Sequence, residues 1–357
     1  MKKVVIIGTG FSAPIGIPVM RGFFCKMQEK YDDPFSGSKG HEDSISPNKI
    51  EDHKLFGNVL NAWQEWKRRK SPVEPDDLED FCSDISASQD LRQDTMYAIG
   101  RLCELCMHKE GNKGLAGLWG SFYREFAKDI GKVRDGMTVI SFNYDLLLDQ
   151  AFLQEGYLPD YRLLEKNVRH VNEDQKQGKS ILLLKPHGSM NWLICDDLSC
   201  QTITLKWQKE GSKDCPGNWP TGPEPPEGHT SKSNLRFLMV PPEKDKQEKT
   251  TKEWLGPVNA AVEEKLKDAQ EIFFLGWSAP DTDKELLQLL QETLVNCQHA
   301  YVVNRVTEID DVRGLMDRFY YISACRFPIT LYLGQTLGDV SVYSRSGWRE
   351  TLLEDAL

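Results

Sequence analysis

Residues 1–21 read MKKVVIIGTGFSAPIGIPVMR, and the first half of that string decides the fold. Val4 to Ile7 is a short, unbroken apolar run rich in β-branched residues, the pattern of a strand buried on both faces. It leads straight into Gly8-Thr9-Gly10, then Phe11, Ser12 and Ala13, which satisfies the loose G-x-G-x-x-A pattern of a dinucleotide-binding turn. Glycines there let the backbone approach a pyrophosphate, and a helix following the turn would aim its free N–H groups and positive dipole end at the phosphates. Alone the pattern is weak, because a glycine-rich turn after a strand is often only a tight turn. The apolar run is too short for the core of a signal peptide.

Further strand-length runs follow at Thr138 to Phe142, Ile181 to Leu184, Ile272 to Leu275, Tyr301 to Val303 and Ile329 to Leu333, with helical patterns between most of them. That alternation predicts an α/β fold, a Rossmann-like parallel sheet with helices on both faces. After Asp145, the residues Leu146, Leu147, Ala151 and Phe152 form one apolar helical stripe, and Gly156 stands where a C-terminal cap is expected. Another helix is expected from Asp281-Thr282-Asp283, where Thr282 and Glu285 have capping-box spacing.

The chain reads as a single domain over 1–357, with Rossmann parts at about 1–30, 133–207 and 235–340. A helical insertion at about 50–132 is marked by Leu55, Phe56, Val59, Leu60 and Trp63, and by Leu118, Phe122 and Phe126. Asp32 to Lys49 and an irregular stretch at about 208–234 read as loops, as does the charged run Glu243 to Glu253; 341–357 reads as a C-terminal tail.

The formal net charge is -10, so the global field repels polyanions, and nucleic acid is not expected as a direct partner. Lys67-Arg68-Arg69-Lys70 reads as a solvated helix end. No run approaches the roughly 18 apolar residues of a membrane span. Nine scattered cysteines suit a reducing compartment and a cytoplasmic protein. Cys103 and Cys106 fall inside a helical pattern and read as core. Cys195, Cys200 and Cys215, with His229 as a conceivable fourth ligand, have irregular spacings, so no metal is expected there.

Three longer motifs sharpen the functional reading. The opening string continues through Gly16-Ile17-Pro18 to Arg21; a later strand ends in Ser141-Phe142-Asn143-Tyr144-Asp145; and another ends in Pro186-His187-Gly188-Ser189. No second strand ending in an acidic residue follows about twenty positions after the glycines, which excludes an ordinary dehydrogenase. Gly8, Asn143, His187, Gly276 with Ser278, and Asn304 each stand at or near the carboxyl end of a different expected strand, where ligands of parallel α/β sheets collect. One crevice would account for all of them.

The string Gly8, Gly10, Ser12, Gly16, Ile17, Pro18, Arg21 resembles the sirtuin signature, and Asn143, Asp145 and the His187-Gly188 pair match that family's later motifs, with Phe142 a departure. The resemblance implies NAD as substrate. It places Gly8, Thr9, Gly10, Phe11, Ser12, Gly16, Ile17, Pro18, Arg21, Gly276, Trp277, Ser278 and Asn304 around the dinucleotide. It gives Asp145 the carboxamide of nicotinamide, Asn143 the ribose and an attacking water, and His187 general-base work. The two CxxC pairs of a sirtuin zinc module are missing. FNYDLLL, HGSMNW and the helical insertion look most like bacterial sirtuin-like domains of antiphage defence, which implies an NAD hydrolase under the control of a partner protein or a homo-oligomer. Protein deacylation, ADP-ribosyl transfer and non-catalytic sensing of NAD or an ADP-ribose-like signal are the alternatives.

Overall fold

In the computed structural model, the residues described are 1–13, 17, 22–32, 47–70, 78–111, 118–163, 168–171, 179–195, 203–206, 235–242, 249–279, 284–305, 309–334 and 347–353. Strand β1 (Lys3–Ile7) is buried at all five positions. Successive side chains of a strand point to opposite faces, so this run is covered on both. It lies at the centre of a parallel sheet, between β2 (Met137–Ser141) and β9 (Glu271–Leu275). Beyond β2 come β5 (Lys179–Leu184) and then β3 (Tyr157–Asp160); beyond β9 come β10 (His299–Arg305) and β11 (Ile329–Gly334). These seven strands, all parallel, make a Rossmann-like α/β sheet. Six of them coincide with the apolar runs. The seventh, β3, is Tyr-Leu-Pro-Asp, whose proline is tolerated because the strand lies at the sheet edge.

From β1 the chain works outward through β2 to β3 and β5, then returns to the other side of β1 at β9 and works outward again. The direction of winding therefore reverses between β1 and β9. At their carboxyl ends lies the topological switch point, the place where ligands of open α/β sheets collect.

A second sheet departs from the sequence reading, which assigned its residues to the Rossmann parts. Strands β4 (Val168–Val171), β6 (Gly188–Cys195), β7 (Ile203–Lys206) and β8 (Leu235–Met239) form it in the order β4-β7-β6-β8. Its strands are four to eight residues long, and the stretches between them carry no apolar period, so they merged with the flanking loops. The strand β6 starts at Gly188, three residues after Lys185 leaves the main sheet, so His187 sits at the join between the two sheets.

Helix α1 (Phe23–Asp32) precedes the helical insertion, which comprises α2 (Pro47–Arg69), α3 (Leu78–Asp84), α4 (Gln89–Gly111) and α5 (Leu118–Lys132). In α2, Phe56, Val59 and Leu60 are buried, as their spacing predicts. Tyr97 of α4 packs its ring on Phe237 of β8, docking the insertion on the second sheet. Helix α6 (Leu147–Gln154) carries the expected stripe and ends at Gly156, which has a positive φ and donates to Leu153 O. The remaining helices are α7 (Lys249–Asp268), α8 (Lys284–Thr293), α9 (Ile309–Ser323) and α10 (Gly347–Leu353). The charged run expected as a loop to Glu253 is helical from Lys249, because Leu255, Val258, Val262 and Leu266 bury one face of α7. In the tail, α10 is docked: Lys3 Nζ donates to the carbonyls of Thr351 and Leu352, capping its C-terminal end, and Arg349 reaches Asp129. The stretch 208–234 and the cap at Asp281 to Asp283 lie outside the described residues. Among the described residues no helix is long and apolar enough to cross a membrane.

The switch point is closed at its base by an interlock of backbone. Gly8 N donates to Leu275 O at 3.0 Å, Gly10 N to Gly276 O at 2.9 Å, and Gly276 N to Val303 O at 2.9 Å. A Cβ on Gly8 would stand 2.7 Å from Trp277 Cα, and one on Gly10 2.7 Å from Gly276 O. Gly276 itself has φ +62° and would place a Cβ 2.3 Å from Phe11 N. Gly276→Ala should therefore lower stability by at least about 2 kcal/mol in urea unfolding, from the left-handed backbone and the overlap together.

Candidate functional site

The glycine turn does not present its amides to a ligand as the sequence pattern suggests. Thr9–Phe11 form a 3-10 turn in which Phe11 N donates to Gly8 O and Ser12 N to Thr9 O; the first α-helix of the described residues begins only at Phe23. With Gly8 N and Gly10 N spent on the 275–276 backbone, four amides of the motif are already satisfied. Close backbone packing, which also demands glycine, and the turn itself use these four amides, and the start of the helix expected after the turn lies outside the described residues. Phe11 turns inward, its ring 5.2–5.3 Å from those of Phe122, Tyr123 and Phe126, and Tyr123 Oη donates to Phe11 O at 2.6 Å. Thr9 stays exposed at the mouth.

Above this base, Asn143 is the central polar group. The loop after β2 is fixed by Phe142 N donating to Ile7 O, and Asn143 Nδ2 then donates both to Gly8 O at 3.1 Å and to Ser12 Oγ at 2.9 Å. Its side chain is only 4% exposed, yet Oδ1 has no protein partner among the described residues. Trp277 Nε1, whose ring packs on Phe142, Phe274 and Phe319, is likewise buried without one. Buried polar atoms are nearly always paired, so the unpartnered amide oxygen at the end of β2, held by Gly8 and Ser12, suits a polar ligand or water.

Asp145 continues the network. Its Oδ1 accepts from Leu147 N at 3.1 Å, holding the start of α6, and its carboxylate is hydrogen-bonded by Ser12. Burial pushes its pKa up; Lys185, the Leu147 amide and Ser12 pull it back down, and Asp149 adds a smaller upward push. Ser12, Asn143 and Asp145 therefore form one connected unit with Gly8.

His187 is half-buried on the second wall. Its carbonyl accepts from Val240 N at 2.8 Å, and its ring meets the Phe142 ring edge-on, with centroids 4.9 Å apart. Phe142 in turn stacks on Trp277 at 6.1 Å. The residue that departs from the sirtuin pattern is thus the aromatic bridge between the histidine and the 276–278 loop. Gly188 has φ +79°, and a Cβ there would lie 1.9 Å from Leu238 O, so the residue after His187 must be glycine for β8 to pass.

Asn304 Nδ2 donates to Trp277 O at 3.3 Å, and Ser278 is exposed, its carbonyl accepting from Arg318 Nε at 2.8 Å. Ile17 is buried; Gly16, Pro18 and Arg21 lie outside the described residues. Gly8, Ser12, Asn143 and Asp145 are thus in direct contact, His187 and Trp277 are joined to them through Phe142, and Asn304 supports the Trp277 backbone.

A buried set behind the site went unread in the sequence. Lys185 Nζ donates to Asp145 O, to Ser189 Oγ and to Asp149 Oδ2, and Tyr161 Oη donates to Asp149 Oδ1. Two signals were present: a lysine ending the apolar run ILLL, and Asp145 and Asp149 four apart in YDLLLD. Among the described residues no group of three metal-ligating side chains is found, and Cys103 and Cys106 are buried in α4, the Cys103 thiol pushed well up by burial. Cys200, Cys215 and His229 lie outside the described residues; Cys195 ends β6.

No family model and no curated protein matches the chain. Solved sirtuin structures overlap it: a Sir2 homologue in complex with ADP-ribose (TM-score 0.39, 14% identity, covering 91% of this chain and 93% of that one), Sir2 bound to an acetylated peptide (0.38, 13%, 99% and 92%) and Sir2 with a p53 peptide and NAD+ (0.34, 13%, 99% and 92%). These are likenesses of chain path, at scores too low to assign a role to any residue.

The fold holds Asp145 with a raised pKa, so ionising it costs stability that is present at low pH and lost as pH rises through the folded value. Asp145→Asn removes that penalty. Its Tm, relative to the wild type, should rise from pH 4 to pH 8 in parallel thermal melts; a constant difference would refute the burial effect.

Proposed function

We propose that the chain is an NAD+ glycohydrolase, releasing nicotinamide and ADP-ribose. The observation that supports this most is the buried, unpartnered Oδ1 of Asn143, held by Gly8 and Ser12 at the switch point beside Asp145. An amide oxygen fixed in this way suits a ribose hydroxyl or a water lined up on the sugar, and it needs no reorganisation when the reaction occurs. The donor set fits the nicotinamide-ribose half of NAD. On the phosphate side, the satisfied amides leave Thr9 at the mouth as the described polar side chain of the turn.

In this reading the glycosidic C–N bond breaks with its electron pair leaving on nicotinamide, a water oxygen bonds to the same ribose carbon, and the water proton passes to His187. Asn143 orients the ribose and the water. Asp145 holds the carboxamide. Phe142 and Trp277 keep bulk water from the reacting carbon. The sequence resemblance extends the proposal to a regulated effector of antiphage defence that depletes NAD, with a partner protein or self-association as its switch.

The test is incubation of the pure protein, and of protein from cells in which the system is active, with NAD and quantification of nicotinamide. His187→Ala and Asn143→Ala should each lower the rate by about 10²- to 10⁴-fold while circular dichroism stays unchanged. Activity surviving both substitutions would sink the site assignment. Release that depends on an acyl-peptide would make lysine the acceptor in place of water, and ligand-induced thermal stabilisation with no turnover in either preparation would make the protein a sensor.

A further inference from the structure

The buried ion cluster behind the crevice has no part in the roles above. Lys185 is 1% exposed, and its ammonium places its three protons on Asp145 O at 2.7 Å, Ser189 Oγ at 2.7 Å and Asp149 Oδ2 at 3.2 Å. Asp149 is buried too, and its other oxygen accepts from Tyr161. Ser189 Oγ lies 3.5 Å from Tyr144 O, and Met190 N donates to that same carbonyl at 3.1 Å. The acceptors of Lys185 thus come from two separate pieces of chain: the segment from the loop after β2 into the helix α6, and the start of β6.

Burying an ammonium is costly unless it is fully paired, and an apolar side chain at the end of β5 would fill the space without that cost. What an apolar residue could not do is join the segment bearing Asn143 and Asp145 to the segment bearing His187 while placing a positive charge on the Asp149 carboxylate and beside Asp145. We infer that Lys185 is a positioning residue for the reaction, clamping the Asn143–Asp145 loop to the start of β6 just after His187 and setting a positive charge beside Asp145. This inference rests on the NAD-cleaving reading of the site.

The charge balance at Asp145 follows from the groups around it. Ser12 and the Leu147 amide hydrogen-bond it; Cys103 faces it from α4, Tyr123 from α5, Asp149 from α6 and Lys185 from the end of β5. Cys103 and Tyr123 are pushed well up by burial and stay neutral near pH 7. Lys185 and Asp149 are then the charges that move Asp145, in opposite directions.

Opposite displacements are what a purely mechanical brace would not produce. The experiment compares wild type, Lys185→Met, Lys185→Arg and Asp149→Asn by the pH profile of kcat/KM for nicotinamide release from NAD. In parallel, the Tm difference between each protein and its Asp145→Asn counterpart is followed across pH 4–8, which reports Asp145 without turnover. Lys185→Met should lower kcat about 10²-fold with KM for NAD held within about threefold, and move the acid limb to higher pH. Asp149→Asn should move that limb to lower pH, and Lys185→Arg should return it towards the wild-type position. Limbs that stay fixed, or that move in the same direction in the Met and Asn variants, would overturn the inference. If the wild type releases no nicotinamide either as pure protein or from cells in which the system is active, the NAD-cleaving reading fails by itself, and the Tm series still decides whether Lys185 and Asp149 displace Asp145 oppositely. Should Lys185→Met not fold, an Asp149→Asn profile superimposable on wild type overturns the inference.

Discussion

Two strands of this sheet end against each other with no side chains between them, and that contact sets the rest of the site. The amides of Gly8 and Gly10 donate to the carbonyls of Leu275 and Gly276, and Gly276 passes the interaction on to Val303. Backbone this close leaves no room for a Cβ at any of the three glycines. The carbonyl of Gly8 is left pointing into the crevice, where it takes one proton of Asn143 Nδ2, and Ser12 takes the other. With both N–H groups of the amide directed, Oδ1 has one orientation. An asparagine held in this way is preorganised, which is the condition under which a fixed dipole stabilises charge developing on a substrate.

The same contact shows that a glycine motif marks a place in the fold without saying what makes glycine necessary there. Gly-x-Gly after a buried strand locates the switch point of an α/β sheet, because only there does the first strand turn away beside a neighbour that arrives from the far half of the chain. The residue types do not say what comes close to the backbone. A pyrophosphate and a second loop make the same demand for a missing Cβ, and here the second loop, at Gly276, meets it for Gly8 and Gly10. The apolar runs were legible for a different reason. Parallel strands covered on both faces must be apolar at every position, so β1, β2 and β9 stand out, whereas the short strands of the second sheet carry no such signature.

The polar residues divide along similar lines. Asn143, Asp145 and His187 could be found because each follows an apolar run, and their convergence follows from the parallel topology. Lys185 occupies the same kind of position at the end of β5 but carries no ligand chemistry that a sequence pattern would flag. Its meaning depends on Asp149, which is 36 residues away, and on Asp145, 40 residues away. Phe142 was visible only as a departure from a family pattern; its contact with His187 on one side and Trp277 on the other is a fact of three-dimensional arrangement.

His187 differs from the other site residues in belonging to the junction of two sheets. Its carbonyl is bonded to Val240 at the end of β8, the residue before it in space is Phe142 of the main sheet, and Tyr144 Oη donates to the Val240 carbonyl from the same loop that carries Asn143 and Asp145. Asn143 is therefore positioned by the Rossmann sheet, while His187 is positioned by the second sheet as well, and the helical insertion docks on that second sheet through Tyr97 and Phe237. The insertion thus meets the site on both sides: α4 reaches the histidine's sheet through Phe237, and α5 holds Phe11, next to Ser12, through Tyr123. Between them, the buried ammonium of Lys185 ties the Asn143–Asp145 loop to the start of β6, so the relative placement of histidine and asparagine depends on both sheets at once.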